Sequence, residues 1–213
     1  MARPRNANAE LTRERILDAA IRRFGTHGLK GTSLRAVGGD VGVTFATVHH
    51  HFGCKSKLYQ RCLEASYEAL GGLRSALAQT LVSTDGGVEE KVAAVARRAF
   101  GFAREHATRS RFLLRATLYE EAASERTQRS QRQYLDVTSE ALAGVLGRSA
   151  EELRVPLQGL MFLLTRLAVM SDAELSIVAG QAEPARAHAQ LADYVATVAL
   201  ATLLPQQKTD SSA

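Results

Sequence analysis

Residues 31–58, GTSLRAVGGDVGVTFATVHHHFGCKSKL, decide how this chain is read. Ser33 is placed to cap a short helix that turns Leu34, Val37 and Val41 inward, because its hydroxyl accepts from an N–H of the first turn. Gly42 supplies the bend that follows, since a residue without Cβ tolerates positive φ. Thr44 caps a second short helix running to Phe52, where Gly53 stops it. Two short helices about a tight turn, followed at once by Lys55 and Lys57, form the pattern of a helix-turn-helix whose second helix enters a DNA major groove.

Working outward, Ile16, Ala20 and Phe24 fall four apart with Leu17 and Ile21 beside them and arginines opposite. That stripe predicts a helix from about Leu11 to His27, ended by Gly28. Downstream, Lys55 to about Leu81 reads as a longer helix, with a kink or break at Gly71-Gly72. After a linker at 83–87, three amphipathic segments follow, Val88 to Thr108, Arg109 to Ala123 and Glu125 to Gly147. Ser149 and Glu152 make a capping box that opens a helix reaching about Ser171, bent at Pro156. A last helix spans about Pro184 to Leu204, and no alternating pattern suggests strands. The expected fold is all-α with nine or ten helices. An N-terminal three-helix helix-turn-helix domain at 10–56 precedes a helical ligand-binding and dimerisation domain at 57–205, with loose tails at 1–9 and 206–213.

Charge separates these two parts. Residues 1–60 hold ten Lys and Arg against Glu10, Glu14, Asp18 and Asp40, a surplus of six, so the remainder stands at −1 within an overall +5. A basic head on a near-neutral body suits phosphate binding by the head. Cys54 and Cys62 do not make a disulfide, because eight residues of one helix separate them by ~12 Å. The start, MARPRNANAEL, lacks a signal peptide's apolar core. The apolar run from Leu157 to Met170 contains Arg166 and falls short of the ~20 residues of a bilayer span. A cytoplasmic protein without membrane contact is expected.

Ser33-Leu34-Arg35, Val37, Gly42-Val43-Thr44, Thr47, His50-His51-Phe52, Lys55 and Leu58 together resemble the DNA-binding domain of the tetracycline-repressor (TetR) family, over residues ~11–60. The resemblance implies phosphate contacts from Ser33, Thr47, His49 and Lys55. It implies base-edge contacts from Arg35, Thr44, Phe45, Ala46 and His50.

Three positions depart from the family's pattern. His49 stands where a tyrosine is usual, Phe45 where a basic or small polar residue is common, and Gly38 and Gly39 where alanine or a charged residue is usual. Phe45 cannot donate to guanine and is left to pack on a thymine methyl or the sugar backbone. Two interior glycines cost about 1 kcal/mol each relative to alanine, which predicts a soft reader. Successive helical residues point about 100° apart, so His49, His50 and His51 do not converge on one metal ion. His49 and His50 are expected toward DNA and His51 toward the domain, with DNA affinity falling as pH rises through the histidine range near ~6.5. Cys54, beside Lys55 and Lys57, reads either as a helix cap or as an oxidation switch.

A single reader touches too few bases to find a genomic site, so such modules act in symmetric pairs. Leu160, Leu164 and Leu167 of one late helix and Tyr194, Val198 and Thr202 of the last offer the pairing surface, a four-helix interface by the family resemblance. The alternative is that both helices complete a monomer core. The resemblance also implies an effector pocket in the middle helices, to which Phe100, His106, Phe112, Arg115, Tyr134, Thr138, Phe162 and Arg166 are assigned. Arg166 has three readings: counter-ion to an acidic ligand, partner of a glutamate, or a head reaching solvent.

The expected function is a homodimeric, sequence-specific transcriptional regulator, a repressor by the family's habit. It binds a palindromic double-stranded DNA operator and is released by a small-molecule effector. The alternative is a DNA-binding protein of low sequence specificity with no effector. No phosphate-binding glycine loop, metal-spaced ligand set or nucleophile motif points to an enzyme, and no cofactor or metal is expected.

Overall fold

A computed structural model describes residues 5–119 and 121–204, and among them are ten helices and no strand. They are α1 (Arg5–Gly31), α2 (Leu34–Val41), α3 (Phe45–Phe52), α4 (Lys55–Ser83) and α5 (Val88–Glu105). Then come α6 (Ala107–Tyr119), α7 (Glu121–Leu146), α8 (Ala150–Val169), α9 (Asp172–Ala179) and α10 (Pro184–Leu203). The all-α expectation holds. Its tail at 206–213 lies outside the described residues.

Three local expectations need correcting. Residues 5–9 are part of α1 rather than a loose tail, and the Thr12 hydroxyl donates back to the Asn8 carbonyl at 2.8 Å within it. Helix α4 is continuous through Gly71-Gly72, so no break falls there, and Pro156 lies inside a continuous α8. An eight-residue helix, α9, occupies the stretch after Ser171. Ser171 caps it by accepting from the Glu174 N–H at 3.2 Å, while Glu174 accepts from the Ser171 N–H at 2.7 Å. The same reciprocal box, Ser149 with Glu152, opens α8 as expected.

The chain divides into two compact units, and the division is not at residue 56. The first comprises Met1–Gly71 and Ala107–Ser124, and the second Gly72–His106 and Glu125–Ala213. The reason is apolar area. Ile16, Ile21 and Phe24 of α1, Val37 of α2 and Val48 of α3 close their core only with Leu58, Tyr59, Cys62 and Leu63 of α4 and Phe112, Leu113 and Ala116 of α6. Three helices alone would bury too little surface. At the centre of this core, the Phe24 and Phe112 rings each meet the Tyr59 ring edge-on, with centroids 5.0 and 5.3 Å apart.

In the second unit, α5 packs on α8 and α10, and α10 packs on α8 and α9. Phe100, Leu153, Leu157, Leu175, Leu191, Val195 and Ala199 sit in this second core. Arg104 of α5 ties its elements together. One guanidinium nitrogen donates to the carbonyls of Leu167, Ala168 and Met170 at 3.3, 3.0 and 2.6 Å, and the other to Asp172 Oδ1 at 2.6 Å. The end of α8 thus has its free carbonyls met by a cation from a different helix.

Candidate nucleic-acid interface

The helix-turn-helix is fixed by caps at each step. The Ser33 hydroxyl accepts from the Ala36 N–H at 3.1 Å and so starts α2. Gly42 ends it in the left-handed region, φ 73°, and the Val43 N–H reaches back to the Gly38 carbonyl at 2.9 Å. Thr44 then accepts from the Thr47 N–H at 3.2 Å to start α3. The hydroxyls of these two threonines are 3.0 Å apart and hydrogen-bonded to one another.

Gly38 has a role other than the looseness expected of it. A Cβ there would stand 2.7 Å from the Val43 carbonyl oxygen and 3.3 Å from Val48 Cγ2. The glycine lets α2 approach the turn and α3 closely. Gly39 has nothing within 4 Å of such a Cβ and carries only the helix-propensity cost.

The pair is also clamped to α1. Arg23 forks onto Asp40 with both contacts at 2.6 Å, which holds the Asp40 carboxyl below the ordinary carboxylate range. Arg15 donates to the Val41 carbonyl at 2.9 Å, meeting the end of α2.

On α3, Val48 and Phe52 are buried while Phe45, Ala46, His49 and His50 are exposed. His51 is half-buried, with its ring against Phe52 at 6.3 Å between centroids. The Phe45 and His49 rings, one turn apart, lie 5.8 Å centroid to centroid, tilted 32° to one another, on the open face. Among the described residues no three His, Cys, Asp or Glu side chains gather into a metal site.

Ser33, Arg35, Phe45 and Lys55 line one open groove, joined by Lys30 at the end of α1. Lys30 was legible only as part of the basic surplus, because nothing local shows that α1 delivers it beside Ser33. Arg35 is exposed and Lys55 half-buried. Among the described residues neither cation, nor Lys30, has a carboxylate partner. Cys54 stands exposed just before α4, and the backbone N–H groups of Lys57 and Ser56 hold its thiol below the ordinary range. Cys62 is buried in the first core, and burial pushes its thiol far up.

The residues assigned to an effector pocket divide between the units. Phe112 fills the first unit's core between Phe24 and Tyr59, and Arg115 lies in the same unit over the Tyr119 ring at 5.5 Å. Phe112 is therefore a core residue, and its assignment to a pocket wall is corrected. In the second unit, Phe100 is buried with His188 edge-on to it at 6.3 Å. His106 stacks on Phe102 at 4.1 Å, and Tyr134 is hydrogen-bonded to Thr138, its phenol pushed up by burial. Phe162 and Arg166 are exposed on α8, so Arg166 has its head in solvent.

Of the pairing residues, Tyr194 and Thr202 are exposed and Leu160, Leu164 and Val198 half-buried. Leu167 is 5% exposed within its own unit's core and has no free face to offer, a second correction. Val155 and Phe162 of α8, 80% and 64% exposed, share a stripe at positions i and i+7. No helix among the described residues is long and apolar enough to cross a membrane.

Residues 16–62 match the description of bacterial regulatory proteins, tetR family. The chain is similar to the HTH-type transcriptional regulator AcrR of Shigella flexneri, 38% identical over 73 residues, covering 34% of each chain. To the HTH-type transcriptional regulatory protein RaaS of Mycobacterium tuberculosis it is 43% identical over 79 residues, 37% of this chain and 35% of that one. The similarity thus spans about a third of the length of these curated relatives. In fold the likeness is longer. A TetR-like transcriptional regulator from Rhodococcus sp. RHA1 superposes with a TM-score of 0.62 at 21% identity, over 94% of this chain and 99% of that one. The fatty acid degradation regulator FadR from Bacillus halodurans gives 0.64 at 17%, over 90% and 95%. The capped helix-turn-helix lies inside the matched segment, so residues 16–62 carry the pattern of the tetR family of bacterial regulatory proteins, and the ten-helix fold is shared along the length of solved structures.

Proposed function

We propose that this protein is a cytoplasmic transcriptional regulator, a repressor that binds a palindromic DNA operator as a homodimer and releases it when a small molecule binds the second unit. The observation that carries the reading is the face of α3. Phe45, Ala46, His49 and His50 stand exposed on a helix whose other side is locked by Val48 and Phe52, beside the groove of Lys30, Arg35 and Lys55. In this reading Arg35, Thr44, Phe45, Ala46 and His50 meet base edges. Ser33, Thr47, His49 and Lys55 meet phosphates, with Lys30 added to them.

Pairing uses Val155 and Phe162 of α8 with Tyr194, Val198 and Thr202 of α10. Large apolar side chains exposed at these fractions on two packed helices suit an isologous contact with a second copy. Effector binding draws on His106, Tyr134 and Thr138, an imidazole, a phenol and a hydroxyl to orient a ligand. A change in the separation of the two readers away from about one DNA turn, ~34–36 Å, would release the operator.

The test is selection from a random-sequence duplex library alongside sedimentation of the free protein. An enriched inverted repeat and a dimer are expected. Enrichment of no sequence favours a DNA-binding protein of low specificity. A monomer that stays monomeric on DNA removes the pairing reading.

A further inference from the structure

Phe45 is the first residue of α3 and is 46% exposed. In the groove that it lines with Lys30, Ser33, Arg35 and Lys55 it is the exposed apolar side chain, since Leu34 beside it is buried. The N-terminal residues of a recognition helix are the ones that face base edges. An aromatic ring thus stands where a hydrogen-bonding side chain is the ordinary reader.

His49 sets the direction of that ring. The two rings lie 5.8 Å apart between centroids and are tilted 32° to one another. Residues four apart share one side of a helix, so the support comes from within α3 itself. Thr44 anchors the same turn, its hydroxyl accepting from the Thr47 N–H at 3.2 Å. Phe45 therefore reaches the surface on a short capped helix with a second ring packed against it.

The chemistry of the ring restricts what it can cover. It neither donates nor accepts in a base plane. Laid against N7 and O6 of guanine, the amino group of cytosine or N6 and N7 of adenine, it strips water from polar atoms and returns no hydrogen bond. A pyrimidine 5-methyl group is the apolar feature of the major-groove edge, and covering it buries carbon against carbon. We infer that Phe45, positioned by His49, reads a pyrimidine 5-methyl group in each half-site, supplied by thymine or by 5-methylcytosine. The inference rests on the DNA-binding reading above and names the chemical group that the exposed face of α3 selects. Phe45 sets the specificity and His49 is a positioning residue.

Single-base substitutions in a duplex recovered by selection from random sequence test it. Each thymine of the half-site is replaced in turn, in both halves, by deoxyuridine, which removes the methyl and keeps every hydrogen-bonding atom. Each cytosine is likewise replaced by 5-methylcytosine. At one position the methyl is expected to change affinity about fifteenfold, from about fourfold per buried methyl in each half-site. A loss on uracil names thymine as the source, and a gain on methylation names 5-methylcytosine. Phe45→Ala binds the methylated and unmethylated duplexes equally, while Phe45→Leu keeps part of the preference. His49→Ala lowers the ratio, and His49→Tyr, which keeps a ring, preserves it. Affinity unchanged by both replacements at every position overturns the inference and leaves Phe45 on the sugar backbone. A methyl preference that survives in Phe45→Ala overturns it as well. A library from which no sequence is enriched overturns the sequence-reading function instead.

Discussion

A Cβ on Gly38 would stand 2.7 Å from the carbonyl oxygen of Val43, so the reader's two helices meet at a distance only glycine permits. The same contact carries a hydrogen bond, Val43 N–H to Gly38 carbonyl at 2.9 Å. Gly38→Ala must push backbone rather than a flexible side chain, and is expected to cost about 1–3 kcal/mol. Gly39→Ala meets open space and is expected to stabilise by up to about 1 kcal/mol. Urea unfolding of the two variants checks the pair, and equal effects of the same sign contradict the packing account.

Asp40 gives the first unit an acid-side signature. Its carboxyl is held below the ordinary range by the Arg23 fork, so the native state binds its proton less readily than the unfolded chain. The stabilisation is complete above the usual carboxylate value near 4 and is lost as pH falls through the lowered one. At neutral pH Asp40→Asn is expected to cost about 1 kcal/mol, as a well-formed but part-exposed pair. As pH falls below the lowered value, the variant and the parent should converge. Unfolding free energies measured across that range test the convergence.

Arg104 is the corresponding tie in the second unit. Its side chain meets three carbonyls at the end of α8 and the Asp172 carboxylate, and is only 18% exposed. Arg104→Met keeps most of the stem and removes the charge. A loss of about 2 kcal/mol is expected, the range for hydrogen bonds to a charged group, read from thermal or urea unfolding.

The two thiols should differ sharply in reactivity. Cys54 is exposed and its thiolate is favoured by backbone N–H groups, whereas Cys62 is buried and its thiol pushed up. Iodoacetamide at mildly alkaline pH is expected to label Cys54 in the folded protein and Cys62 only after denaturation. Mass spectrometry of the labelled peptides reads the order directly.

What the sequence made legible was local. Ser33, Gly42 and Thr44 act within four residues of themselves, so their caps and turn follow from residue type and spacing. Gly38 and Gly39 are the same letter with opposite consequences, because the difference lies in Val43 and Val48 folding back across the turn. Phe112 reads as one more aromatic on a middle helix. Its place between Phe24 and Tyr59 depends on α6 packing against α1, which no short pattern encodes. The box Ser171…Glu174 is the local signal for α9, but its inward face is only Leu175 and Ala179 while Ile177 and Val178 are exposed, a stripe too short to stand out in the sequence. The candidate interface was legible in its α2–α3 residues. Lys30 was visible only as charge, since its place beside Ser33 is set by the packing of α1 on α2.

The most direct test compares the affinity of the parent protein for a selected inverted-repeat duplex with that for a scrambled duplex of the same composition, at one fixed near-physiological salt. Rigid presentation of Phe45, Ala46 and His50 predicts a ratio of about 10³ or more, reduced markedly by His50→Ala with Arg35→Ala. A ratio near one, with both duplexes bound through charge alone, would contradict the account.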